Sequence, residues 1–134
     1  MTPVGAHKRL DELGVLDASH GPGCYALRVS VPNNVESVQR TWLDAIDAPL
    51  PEAYAEQLAD ADTALYVGRS GDVYDRIMDH ARADVRRASF VRAFGMTDIH
   101  GVYPEDENTG VAERDRARAL SDADTVVWTD GELF

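Results

Sequence analysis

Apolar positions along the chain fall into short runs and helical stripes, with no internal repeat and no low-complexity tract. Ala6 to Leu13 predicts a short helix with Gly14 as its stop. Ser19-His20-Gly21-Pro22-Gly23 is a turn. It leads into Cys24-Tyr25-Ala26-Leu27-Arg28-Val29-Ser30-Val31, which reads as a strand ended by Pro32-Asn33-Asn34. Val35, Val38, Trp42, Ala45 and Ile46 then recur at helical spacing. Pro49-Leu50-Pro51 breaks that helix, and Pro51 suits the first turn of a second one running to about Ala59.

Residues 64–68 predict a second strand, and Arg69-Ser70-Gly71 a turn. Ser70 or Asp72 caps the next helix, since either side chain can accept from the exposed N–H groups of its first turn. Tyr74, Ile77, Met78, Ala81 and Val85 form its apolar stripe. A helical stretch over about 86–94 stops at Gly95, and residues 98–103 read as a third strand closed by Pro104. A helix follows over 110–120, then a possible final strand over 125–128. Strands and helices mixed without a regular βαβ rhythm predict an α+β fold.

At 134 residues the chain suits one domain with its own core. No apolar run is long enough to span a bilayer, and the first nine residues lack the apolar core of a signal peptide, so a soluble cytoplasmic protein is expected. Cys24, the single cysteine, excludes an internal disulfide and reads as a buried free thiol. Net charge is -11, and Lys8 is the only lysine beside 12 arginines. Such an acid excess ordinarily marks a protein with no attraction for nucleic acid. Lysine depletion with abundant Asp and Ala also fits a halophilic protein, for at about 1 M salt the Debye length is only about 3 Å and self-repulsion is screened. Between Val31 and Thr63 seven acidic residues face one basic residue, Arg40, which predicts a solvated acidic flap between the first two strands, open to other proteins as partners. Residues 64–95 reverse the balance with six arginines against four aspartates, so a DNA backbone would be drawn there.

Gly23-Cys24-Tyr25 opens one strand and Tyr66-Val67-Gly68 sits on the next. Arg76 lies ten residues beyond Tyr66, His80 fourteen beyond it, and Glu113 stands in the later helix within Val111-Ala112-Glu113-Arg114. This order resembles the GIY-YIG nuclease family over residues 23–122, with 1–22 as an N-terminal helix and turn, an acidic helical insertion at about 33–62, and 123–134 as a C-terminal strand or tail. The most specific part is residues 65–77. The resemblance implies a small, mainly antiparallel three-stranded sheet flanked by helices, and a metal-dependent endonuclease that hydrolyses DNA phosphodiester bonds with Mg²⁺ or Mn²⁺. It implies that Tyr25 is a general base or water-positioning group, that Tyr66 orients it or the phosphate, and that Glu113 is the metal ligand. Arg76 would stabilise charge on phosphorus, with Arg69 and His80 positioning the phosphate or leaving group and Arg82 and Arg86 on the DNA backbone. Three features depart from the family pattern: about forty residues separate the tyrosine motifs, no Asn follows Asn108, and Arg69 stands where a lysine is common.

Plainer readings stand beside these. Arg76 and His80, four apart, project from one helix face, and could equally be an ion pair of Arg76 with Asp72 and a surface or capping histidine. Tyr25 and Tyr66 could simply pack on the core, and Glu113 could pair with Arg114 or Arg116 on a solvated helix. Asp115, Glu105 and Glu107 compete weakly with Glu113 for a metal. Trp42 anchors the insertion to the core or, if exposed, stacks on a base. A catalytically weak GIY-YIG-derived binding module, held in a larger assembly, is the alternative function.

Overall fold

A computed structural model of the chain describes residues 1–82, 88–104 and 110–134. Its elements are α1 (Pro3–Glu12), α2 (Leu16–Ser19), β1 (Gly23–Val29), α3 (Val35–Ile46), α4 (Glu52–Asp60) and β2 (Thr63–Ser70), followed by α5 (Val73–Ala81), α6 (Ser89–Phe94), β3 (Met96–Pro104), α7 (Gly110–Leu120), β4 (Thr125–Thr129) and β5 (Glu132–Leu133). Val85, Arg86, Glu105, Glu107 and Asn108 lie outside the described residues.

The fold is α+β, as the mixed pattern predicts, but the sheet is larger than the expected three strands. Five strands run in the order β3-β1-β2-β4-β5. β1 lies antiparallel between β2 and β3, β4 joins β2 in parallel, and β5 folds back antiparallel on β4. The extension has a simple cause. Val127 packs on one face of the sheet with Ala26, Leu65, Val67 and Ala117, while Trp128 packs on the other. A segment with apolar side chains at alternate positions buries both sets only as a strand within the sheet. Val127 and Phe134 exchange backbone hydrogen bonds of 3.1 and 2.8 Å, closing the C-terminal hairpin.

The main core fills the face that carries Tyr25, Leu27 and Val29, and α1, α3, α4, α5 and α6 all contribute to it. α7 packs on the opposite face through Ala117. This corrects the expectation of a solvated flap. Val38, Trp42, Leu50, Ala55 and Leu58 from residues 33–62 are buried in the same core as Ile77 and Ile99. The Trp42 ring lies 5.4 Å from Trp128 and 6.1 Å from Phe94, and Phe90 stacks on Trp128 at 5.1 Å. The helical stripe must bury its apolar side, and the sheet face around Trp128 is what it covers. Only the outer side is acidic, and all seven carboxylates there are exposed. Trp42 is therefore an anchor, as one of its two readings has it. Among the described residues no helix is long and apolar enough to cross a membrane.

Candidate active site

Tyr25 and Tyr66 enter the site from neighbouring strands. In the antiparallel register Tyr25 faces Gly68 and Leu27 faces Tyr66, so both tyrosines project from the same face of the sheet. Gly23 has its own steric requirement. It sits opposite Pro104, and a Cβ there would lie 2.5 Å from the Tyr103 carbonyl oxygen. The glycine of the first motif is thus demanded by the close approach of the β3 backbone, and that of the second, Gly68, by the Tyr25 and Tyr66 rings.

α5 brings the next two residues. Asp72 is its N-cap, accepting from the Asp75 N–H at 3.2 Å, and Ser70 braces that cap by hydrogen bonds to both backbone groups of Asp72. Val73, Ile77 and Met78 bury one side of the helix, which turns His80 under the sheet. The His80 Nε2 and the Tyr25 hydroxyl share a hydrogen bond of 2.9 Å. The rings of Tyr25, Tyr66 and His80 stand 5.6 to 6.2 Å apart, each packed on the other two. Tyr25 is 1% exposed and His80 2%, whereas Tyr66 is only partly buried.

Arg76 reaches this cluster, where its charge favours the ionised form of both phenols. Its ion-pair partner on the helix is Asp79 at 3.9 Å, not the expected Asp72. Asp79 also holds Arg82 at 3.9 Å, so one carboxylate links the partly buried Arg76 to an exposed arginine. Burial pushes the Tyr25 hydroxyl well above the ordinary phenol value, and neighbouring Tyr66 adds to this while Arg76 opposes it. Tyr66 is also raised, by burial first and by the Glu113 charge second, again against Arg76. Of the two phenols, Tyr66 is raised less than Tyr25 and is the readier to ionise.

Glu113 comes from α7 on the other face of the sheet, turned inward as its helical position predicts, with its side chain 11% exposed. It meets Arg69, which alternates away from the tyrosines on β2, at 4.0 Å. Burial raises its carboxyl above the usual range, against neighbouring Thr129 and the Arg69 charge. Arg114 is taken by Asp130 at 3.2 Å, and Arg116 lies over the Tyr103 ring at 4.0 Å. Asp115 is exposed and pairs with Arg118, so it turns away from Glu113.

Two groups of residues therefore meet across β2: Tyr25, Tyr66, Arg76 and His80 on one face, Glu113 and Arg69 on the other. The Glu113 charge is felt at Tyr66, which couples them. Arg82 belongs to the rim through Asp79. One expectation fails on burial, since His80 is neither a surface histidine nor, enclosed as it is, a phosphate contact; it supports Tyr25 instead. Cys24 is the expected buried free thiol. Sequence reasoning missed Asp79, although its spacing of three from Arg76 was a usable signal. It also missed Thr129 and Asp130, which no local pattern marks. Among the described residues no three His, Cys, Asp or Glu side chains gather as a metal-binding group. Compared with protein-family models, curated proteins and solved structures, the chain matches none.

Proposed function

We propose that this chain is a metal-dependent endonuclease of GIY-YIG type, hydrolysing DNA phosphodiester bonds in the cytoplasm. One observation carries the reading: Tyr25, Tyr66, Arg76 and His80, from three separate segments, come together at one place, with Tyr25 hydrogen-bonded to His80 and Tyr66 feeling the sheltered Glu113 carboxylate. Coincidental spacing in the sequence gives no reason for such convergence.

Mg²⁺ commonly binds through one or two carboxylates, keeping waters and taking substrate phosphate as further ligands. Glu113, sheltered and with the Asp130 charge nearby, fits that pattern as the residue to hold Mg²⁺ or Mn²⁺. A bound ion would supply positive charge to the phosphate and acidify its water. The chain's own part is to hold and move a proton. Tyr66, partly exposed and the readier of the two phenols to ionise, is the group that meets water. This exchanges the roles first expected of the tyrosines, because Tyr25 is enclosed. Tyr25 carries the relay on toward His80, with whose Nε2 its hydroxyl shares a hydrogen bond. Arg76 opposes negative charge building on the phosphate. Arg69 and Arg82, both substantially exposed, face the DNA backbone.

Nicking of supercoiled plasmid with Mg²⁺ or Mn²⁺, at several salt concentrations, tests this. Glu113→Gln should abolish cleavage with little change in melting temperature. Arg76→Ala should cost about two to three orders of magnitude in rate and weaken DNA binding. The near-complete burial of Tyr25 and His80 favours a second reading, the catalytically weak binding module within a larger assembly. That reading expects no wild-type cleavage under any of these conditions and no effect of Glu113→Gln on binding.

A further inference from the structure

α1 packs against α5, and a groove of about 320 Å³ lies between them, lined by Pro3, Val4, His7, Tyr74, Met78 and Arg82. The three residues from α5 stand four apart, so they form one row along that helix, and Val4 and His7 form the facing row on α1. α1 buries Ala6 and Leu10 in the core, which leaves Val4 81% exposed. Tyr74 is held from two sides. Its hydroxyl shares a hydrogen bond of 2.8 Å with His7 Nδ1, and the His20 ring lies 4.4 Å from its own, 30° from parallel. Arg82 brings a positive charge to the groove, and among the described residues no carboxylate lines it, although the chain carries a net charge of -11.

We propose that this groove takes an unpaired nucleotide of DNA, with its base on the Tyr74 ring and its phosphate at Arg82. The proposal rests on the nuclease reading and goes beyond it by naming the substrate class, DNA with an unpaired stretch beside the cut. Sites for single strands combine positive charge along the backbone with aromatic rings on which bases stack, and stacking accepts any base. The groove supplies both, with Val4 and Met78 as apolar walls. A base within a duplex reaches such a groove only by leaving its stack, so an unpaired one is favoured. The path from the candidate site is short. Asp79 pairs with both Arg76 and Arg82, which stand six residues apart on the helix. That spacing is about 9 Å along the axis, or two to three nucleotide steps at about 3.4 Å each.

The test measures binding by fluorescence anisotropy at one KCl concentration, with EDTA present so that nothing is cut. It compares a blunt DNA duplex with the same duplex carrying a short single-stranded thymidine overhang. The overhang should tighten wild-type binding at least about fivefold, the size of one base stacked on an aromatic ring. Tyr74→Ala and Val4→Asp should each abolish that gain, whereas Tyr74→Phe, which keeps the ring, should retain it. Leu43→Asp, which adds the same charge at an exposed position on α3, should also retain it. If Tyr74→Ala does not fold, Val4→Asp against Leu43→Asp carries the comparison. Equal affinity of wild type for the two duplexes overturns the proposal, as does a gain that survives Val4→Asp. A wild-type dimer that Val4→Asp splits would give the groove to a second copy of the chain and overturn it too. Protein that nicks plasmid but gains nothing from the overhang keeps the nuclease reading and loses the groove. Protein that cuts nothing yet shows the gain does the reverse.

Discussion

Gly68 lies directly across the antiparallel ladder from Tyr25, and the tyrosine ring fills the space where a side chain at 68 would stand. A Cβ at this position would come within 2.5 Å of the Tyr25 hydroxyl oxygen and 2.8 Å of the Tyr66 ring. The glycine of the Tyr-x-Gly motif is thus the seat of the tyrosine from the other motif. Neither glycine nor tyrosine is intelligible from its own strand.

Gly68→Ala should therefore force Tyr25 out of place. Overpacking of this kind costs about 1–3 kcal/mol, and the displaced ring loses its bond to His80. Urea denaturation should show the loss of stability. Unchanged stability with an unchanged Tyr25 environment, seen by tyrosine NMR, would contradict the packing described.

Stability should fall at alkaline pH. Tyr25 and Tyr66 both ionise at higher pH in the folded chain than in the unfolded one. Below the unfolded phenol value, about 10, both states hold neutral tyrosines and the full contribution is present. As pH rises from there toward the folded values, the unfolded chain ionises first and stability is lost. Denaturation across this range should give a shallower decline in Tyr25→Phe than in Tyr66→Phe, because Tyr25 is shifted further. Equal slopes in wild type and both variants would show that the phenols are not held as described.

Residues 33–62 should not be removable. Replacing them with a short Gly-rich turn strips Val38, Trp42, Leu50, Ala55 and Leu58 from the core. The shortened chain should lose cooperative thermal unfolding. Trp42→Ala alone should cost about 3–5 kcal/mol, the range for emptying a buried aromatic site. A shortened chain that still melts cooperatively near the wild-type temperature would restore the separable flap.

Raising KCl from tens of millimolar to molar should raise the melting temperature. The chain carries a net charge of -11, and its acidic insertion residues all point to water. Screening shortens from about 10 Å at 0.1 M to about 3 Å at 1 M, which relieves repulsion among them. A melting temperature that is flat or falls with salt would count against adaptation to high salt.

The sequence by itself determined what depends on near neighbours. The helical stripe of α3, the Asp72 cap, the Gly110–Leu120 helix and the strands around Tyr25 and Tyr66 follow from local spacing and capping chemistry. The inward turn of Glu113 was legible for the same reason, since three- and four-residue spacing fixes a helix face. Tertiary structure decided the rest. Whether residues 33–62 hung free depended on Trp128, more than eighty residues from Trp42 along the chain, and a ring buried by so distant a partner leaves no local mark. The same holds for β4. Its Val127 and Trp128 look like a short apolar run until α7 and α3 cover opposite faces of the sheet. His80 changed role because burial is a property of the assembled core, and only there does its imidazole meet Tyr25, 55 residues earlier. Thr129 was silent for a further reason: its hydroxyl acts on a carbonyl 62 residues away, at a point set by where one strand pairing ends.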